Sequence, residues 1–255
     1  MKNDDDILAY LARGGKLSAP DNAPARYRAE LMRLMASFVD SELAGAAGFA
    51  DRINDGPGVK ERIAASRIVL EKLDHASRVL AIMADFGADA ARYQETHSWA
   101  ARINRDDDIG TTRKSGDMRL NVLHYPLSNW TDAVVLNVLM GNATIIQIGE
   151  YAACSYQPLA EVFREILPRE QRHAELGEEG LLKIAGEGSP ARRAIAESVD
   201  YWQPKVAATF GGASSPRTEL LRRFGLRKRS NADLLDAWLG RISVVLQPTL
   251  RVYDA

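Results

Sequence analysis

Through most of this chain the apolar residues recur every three or four positions, the spacing that lines one face of an α-helix. Alternation of the strand type never lasts more than a few residues, and there is no internal repeat. From Arg26 the first long stripe runs through Leu31, Leu34, Met35, Phe38, Val39 and Leu43, with Glu42 near its end among small residues. Asn54-Asp55-Gly56-Pro57-Gly58 reads as a turn. A second helix is expected over residues 59–86, closed by Gly87, with Ile63, Ile68, Val69, Leu73, Ala76, Val79, Leu80 and Met83 on its buried face. At about 1.5 Å per residue it is roughly 40 Å long, a bundle-length helix. A shorter helix over residues 88–103 and a charge-rich loop over 104–117 follow.

The third long helix is expected over residues 129–153. It is apolar nearly all round and therefore central. The fourth spans 157–185 and stops at Gly186-Glu187-Gly188; Pro168 inside it predicts a kink. Helices over 190–209 and 232–246 complete the chain, with Ser230 and Asn231 as capping candidates. Residues 1–24 read as a polar arm with one short helix at 7–12, and residues 25–255 as a single helical domain. The fold class is all-α.

Composition narrows the function. Of the 255 residues 46% are hydrophobic, enough for a substantial core. A formal net charge of -1 lacks the basic excess of a general nucleic-acid binder. A single cysteine, Cys154, leaves no intrachain disulfide to form and fits a reducing cytoplasm. The acidic first residues lack the apolar run of a signal peptide, and no uninterrupted apolar stretch reaches the length of a membrane span. A soluble, cytoplasmic protein without nucleic-acid or membrane partners is expected.

The candidate chemistry sits in two short stretches. Glu170-x-x-His173 places a carboxylate and an imidazole on one helix face, the way ferritin-like bundles offer metal ligands. Leu70-Glu71-Lys72-Leu73-Asp74-His75 supplies a second histidine, with a lysine three residues before it where such a motif carries an acid. Glu42, His75, Glu170 and His173 thus fall on three long helices at otherwise apolar positions, and buried carboxylates need a partner, a proton or a metal. On the residues alone, a solvated face made of Glu170, Arg172, Glu175, Glu178 and Glu179 accounts for the second stretch equally well.

Further residues carry a resemblance. Ser41-Glu42, His75 with Gly87 after it, Tyr125-Pro126 with Trp130-x-Asp132, Ser155-Tyr156-x-Pro158, Glu170-x-x-His173, and Tyr201-Trp202-x-Pro204 before Phe210-Gly211 resemble the phenylacetic acid catabolic protein family, within it the catalytic subunit of phenylacetyl-CoA epoxidase. The resemblance implies a ferritin-like four-helix bundle with extra C-terminal helices. It also implies a pair of irons that activate O2 and oxidise (epoxidise or hydroxylate) an organic substrate such as an aryl-CoA thioester. An external reductase and a metal-free sister subunit are the implied partners, in a homodimer or heteromer. Glu42, His75, Glu170 and His173 match ligand positions, whereas Lys72 and Gly141 stand where two acidic ligands belong.

Three arrangements follow. Lys72 points inward and neutralises Glu42 and Glu170; or Glu71, four residues before His75, takes the missing ligand role; or one metal, iron or manganese, is held by Glu42, Glu170, His173 and His75. Lys72 and Glu71 are accordingly the candidate catalytic residues. The rival to an oxygenase-type subunit is a metal-free partner subunit in which Lys72 replaces the metals. Glu150, nine residues beyond Gly141, faces away from this site. His97 and His124 read as surface or capping residues, Cys154 as core, and Trp130, Trp202 and Trp238 as packing or interface anchors. The cluster Arg217, Arg222, Arg223, Arg227, Lys228 and Arg229 reads as a solvated or subunit-facing surface, or as a holder of CoA phosphates.

Overall fold

The computed structural model describes residues 4–112 and 116–250. Parts of the expected arm (1–3), of the charged loop (113–115) and of the C-terminal end of the domain (251–255) lie outside the described residues. The α-helices are α1 (Asp4–Ala12), α2 (Ala25–Ala50), α3 (Val59–Asp85), α4 (Ala90–Gln94), α5 (Ile109–Thr112), α6 (Trp130–Tyr151), α7 (Gln157–Gly186), α8 (Ser189–Ala207), α9 (Pro216–Arg223) and α10 (Asn231–Leu250). The fold is a ferritin-like bundle: α2 pairs with α3, α6 pairs with α7, and the pairs meet through α3 and α7, with α8 and α10 packed against α6.

Local chemistry fixes the ends. Gly87 adopts φ 91°, and Ala88 N–H and Gly87 N–H bond to Met83 O and Ala84 O, the Schellman closure that stops α3. The Asn129 side chain accepts from Asp132 N–H at the start of α6. Ser230 and Asp233 cap α10 reciprocally, each side chain accepting from the other's backbone N–H.

α6 is the core helix. Its length and apolar composition would suit a membrane span, yet 61% of its most apolar window is buried inside the fold. Val135, Val138 and Leu139 on it are fully enclosed, and Trp238 donates its indole N–H to Leu139 O. Trp202 and Trp238 are core residues, whereas Trp130 is half-buried beside Phe49. At the other end, Ile7, Leu11 and Leu17 pack into the same cluster as Tyr27, Tyr156 and Phe224.

Two expectations about the helices change. The helix expected over 88–103 shrinks to α4, because side chains take the carbonyls that a longer helix would use: Trp99 Nε1 donates to Gln94 O and Arg102 Nη1 to Trp99 O. On α3, Ile63 and Leu73 are 56% and 45% exposed rather than buried. Only one face of α3 can turn inward, and it is the face carrying Ala65, Ile68, His75, Ala76 and Val79.

Candidate metal centre

The functional side chains are brought together where α2, α3 and α7 meet. Glu42 comes from α2, Glu71, Lys72 and His75 from α3, Glu170 and His173 from α7; Glu42, His75, Glu170 and His173 are all buried. Lys72 Nζ donates to Glu42 Oε1 at 3.0 Å and to Glu170 Oε1 at 3.5 Å. His75 Nδ1 lies 3.3 Å from Glu42 Oε2 and 3.0 Å from Glu170 Oε1. His173 Nδ1 stands 3.3 Å from the same Glu170 oxygen, and its Nε2 is 2.6 Å from Glu71 Oε2. The two imidazoles stack with centroids 5.9 Å apart. Lys72 and Glu71 therefore engage at once, the lysine with the carboxylates and Glu71 with His173.

Electrostatics follow from burial. Desolvation pushes Lys72 towards neutrality, but Glu170 and Glu42 outweigh it and raise its pKa well above the ordinary value. Burial opposes ionisation of Glu170, and Lys72 with the two histidines holds it well below the usual carboxylate range. Burial lowers the His75 pKa, and its hydrogen bonds to Glu170 and Glu42 more than reverse this.

Two glycines shape the site. At Gly45, one turn beyond Glu42, a Cβ would stand 3.7 Å from Lys72 Cδ, so the lysine stem crosses over this glycine. At Gly141 a Cβ would come within 3.3 Å of the Ala174 Cβ, so this position on α6 is a close contact with α7. Asn137, which sequence reasoning did not single out, ties the same helices by donating to His173 O at 2.9 Å.

A cavity of about 390 Å³ is lined in part by Glu42, Lys72 and Glu170. Phe38, Phe49, Leu136, Met140 and Tyr151 contribute walls, and Arg33 and Arg217 are exposed residues along it. Its existence depends on how helices cross, which periodicity does not encode.

Among the described residues, the side chains present can accommodate one metal ion. Glu42, His75 and Glu170 offer donor atoms within 4.8 Å of one another, a group that can hold a metal ion. Their spacings of 3.0 and 3.3 Å are those of adjacent ligands on an ion with bonds of about 2.1 Å. Glu170 Oε2 is buried without a hydrogen-bond partner among the described residues. Charge agrees: Glu42, Glu71 and Glu170 are balanced by Lys72 and one divalent cation, and a second cation would leave an excess in a buried site.

The other sequence candidates lie elsewhere. Glu150 accepts from Lys228 N–H, Arg229 N–H and Arg229 Nε, remote from the centre. His124, expected at the surface or in a cap, is 7% exposed with its Nε2 3.9 Å from Asp117, because the loop before α6 folds back over it. His97 packs edge-on to Trp99. Arg217 pairs with Glu30, and Arg229 with Glu150.

A family model described as phenylacetic acid catabolic protein matches residues 3–251. A search of curated proteins finds no match.

Proposed function

The chain belongs to the phenylacetic acid catabolic protein family, and from that membership we propose that it is an oxygenase-type subunit with a single-metal centre. The observation that carries this reading is the convergence of Glu42, His75 and Glu170 from three helices, with Glu42 and Glu170 also lining a cavity. Iron is the first candidate for the ion and manganese the second, with His173 beside the set. An iron held by Glu42, His75 and Glu170 would supply the binding and reduction of O2.

The chain's own residues do the rest. Lys72 supplies a fixed positive charge and donates to both carboxylates, so they are held in place before any ion arrives. Glu71 fixes the orientation and tautomer of His173. The apolar wall formed by Phe38, Leu136 and Met140 excludes water from the organic substrate, for which an aryl-CoA thioester is the leading candidate. Inserting one oxygen atom and releasing the other as water would consume two electrons, from an external reductase, and two protons, from solvent; the sequence has no nicotinamide or flavin fingerprint. Subunits of this family typically work in multi-subunit complexes, and a homodimer or a heteromer with a sister subunit is the expected assembly.

Elemental analysis of the full chain, expressed with iron and manganese supplied, tests the reading. About one metal per chain, lost in His75→Ala, supports it. A metal-free protein at every pH from 6 to 8 would instead support a scaffold subunit. That second reading draws on the Lys72 bridge between Glu42 and Glu170, which already neutralises part of the site.

A further inference from the structure

A second cleft, of about 590 Å³, shares Arg227 with the substrate cavity. Lys16, Arg222, Arg223, Arg227 and Lys228 line it, and Glu219 is the one carboxylate among its lining residues. Five cations against one anion is a strong local excess on a chain whose net charge is only -1. A concave surface lined by one sign of charge focuses its field on the space it encloses.

Internal pairing absorbs part of this charge. Lys16 Nζ donates to Ala153 O and Cys154 O at 3.0 and 2.8 Å, just past the end of α6. Arg222 Nε donates to Lys228 O, its Nη1 to Glu219, and Arg227 Nη1 donates to Asn231 Oδ1. The Arg223 guanidinium and the Lys228 ammonium, both on exposed residues, have no protein acceptor among the described residues.

The frame beneath them is rigid. Ser155 N–H bonds to Gly225 O, Leu17 N–H to Ser155 O and Gln157 N–H to Leu17 O, each at 2.8 Å. Buried Glu150 clamps the main-chain N–H groups of Lys228 and Arg229. The N–H groups of Gly14 and Gly15 are committed to Leu11 O and Tyr10 O, so recognition falls to the side chains.

We propose that this cleft binds a small polyanion carrying two or more phosphate groups. Guanidinium forks match phosphate oxygens geometrically, and a lone carboxylate would leave most of the positive charge uncompensated. The cleft is larger than one phosphate needs, and its two unpaired cations can engage separate phosphate groups. The site stands apart from the metal centre and holds whether or not that centre is loaded.

Titration calorimetry of the full chain with orthophosphate, pyrophosphate and tripolyphosphate at about 100 mM salt tests it. The expected result is one saturable site per chain, tighter for tripolyphosphate than for orthophosphate and weakening as salt rises. Arg223→Ala with Lys228→Ala should weaken it roughly tenfold or more, while Arg33→Ala, in the substrate cavity, leaves it within about twofold. Absence of saturable binding overturns the proposal. So does equal affinity for orthophosphate, retention in the double variant, or binding that is lost with Arg33.

Discussion

Lys72→Ala is the substitution that most directly probes the centre. It removes the ammonium that bridges Glu42 and Glu170, which are 5% and 1% exposed. Removing one partner of a buried ion pair costs about 3–5 kcal/mol, since the remaining charge stays in a poorly solvated place. His75, whose pKa the same two carboxylates raise, offsets part of this, and water in the adjoining cavity can follow the lost stem. The lower end, about 3 kcal/mol, is therefore expected. In a protein of this size that is a fall of roughly 6–12 °C in Tm.

The assay is thermal and urea unfolding followed by far-UV circular dichroism, with a chelator present. Lys72→Met, which keeps the stem and drops the charge, should lose nearly as much. The pH dependence has a defined sign. In the parent the Glu170 pKa is depressed, so its stabilisation is present above the unfolded carboxylate value of about 4.3 and is lost as pH falls through the lower folded value. Without Lys72, burial dominates and the folded pKa moves up, so the carboxyl destabilises the variant as pH rises. The gap between parent and variant should widen from about pH 4 to pH 7. A Lys72→Ala protein within about 2 °C of the parent at neutral pH would refute the reasoning.

Other substitutions have equally defined outcomes. Glu150→Ala deprives Lys228 N–H, Arg229 N–H and Arg229 Nε of their acceptor and should cost about 2–3 kcal/mol in urea unfolding at pH 7. Its folded pKa is lowered, because those bonds outweigh burial, so the difference should shrink as pH falls below about 4.5. Ser155→Ala leaves the buried Tyr27 hydroxyl and Phe224 O without their partner and should cost about 2 kcal/mol, read as a lower urea midpoint. Gly141→Asp should leave metal content unchanged and lower stability by about 1–3 kcal/mol, because even its Cβ meets Ala174. A rise in bound metal in that variant would mean that α6 and α7 can part.

The long helices were legible because their signals are local. Apolar spacing marked α2, α3, α6 and α7, and Gly87 marked the end of α3 within a residue or two. What escaped depends on contacts between distant residues. Periodicity over residues 88–103 resembles a helix, and only the hydrogen bonds made by Trp99 and Arg102 explain why it stops at Gln94. Ile63 and Leu73 are apolar and helical in spacing, yet the face bearing His75 won the interior. The basic residues near the C-terminus stand out as a cluster, but the cleft that they line is built by the packing of α9 against α1, a contact between distant residues.

The centre itself was readable as residue types and not as an arrangement. Adjacent positions on a helix point about 100° apart, so Glu71 and Lys72 look like competitors for one inward place. Both reach the site, in different directions: Lys72 across the thin wall that Gly45 leaves on α2, and Glu71 towards His173 on α7. This changes what a lysine at that position means. Lys72 does not satisfy the two carboxylates alone: Glu42 gives it one oxygen and turns the other to His75, which also meets Glu170. Glu42, His75 and Glu170 bring three donors together, while on the α6 side Gly141 is packed against Ala174. On the single-metal reading proposed above, the ammonium supplies the positive charge that a second cation would otherwise bring.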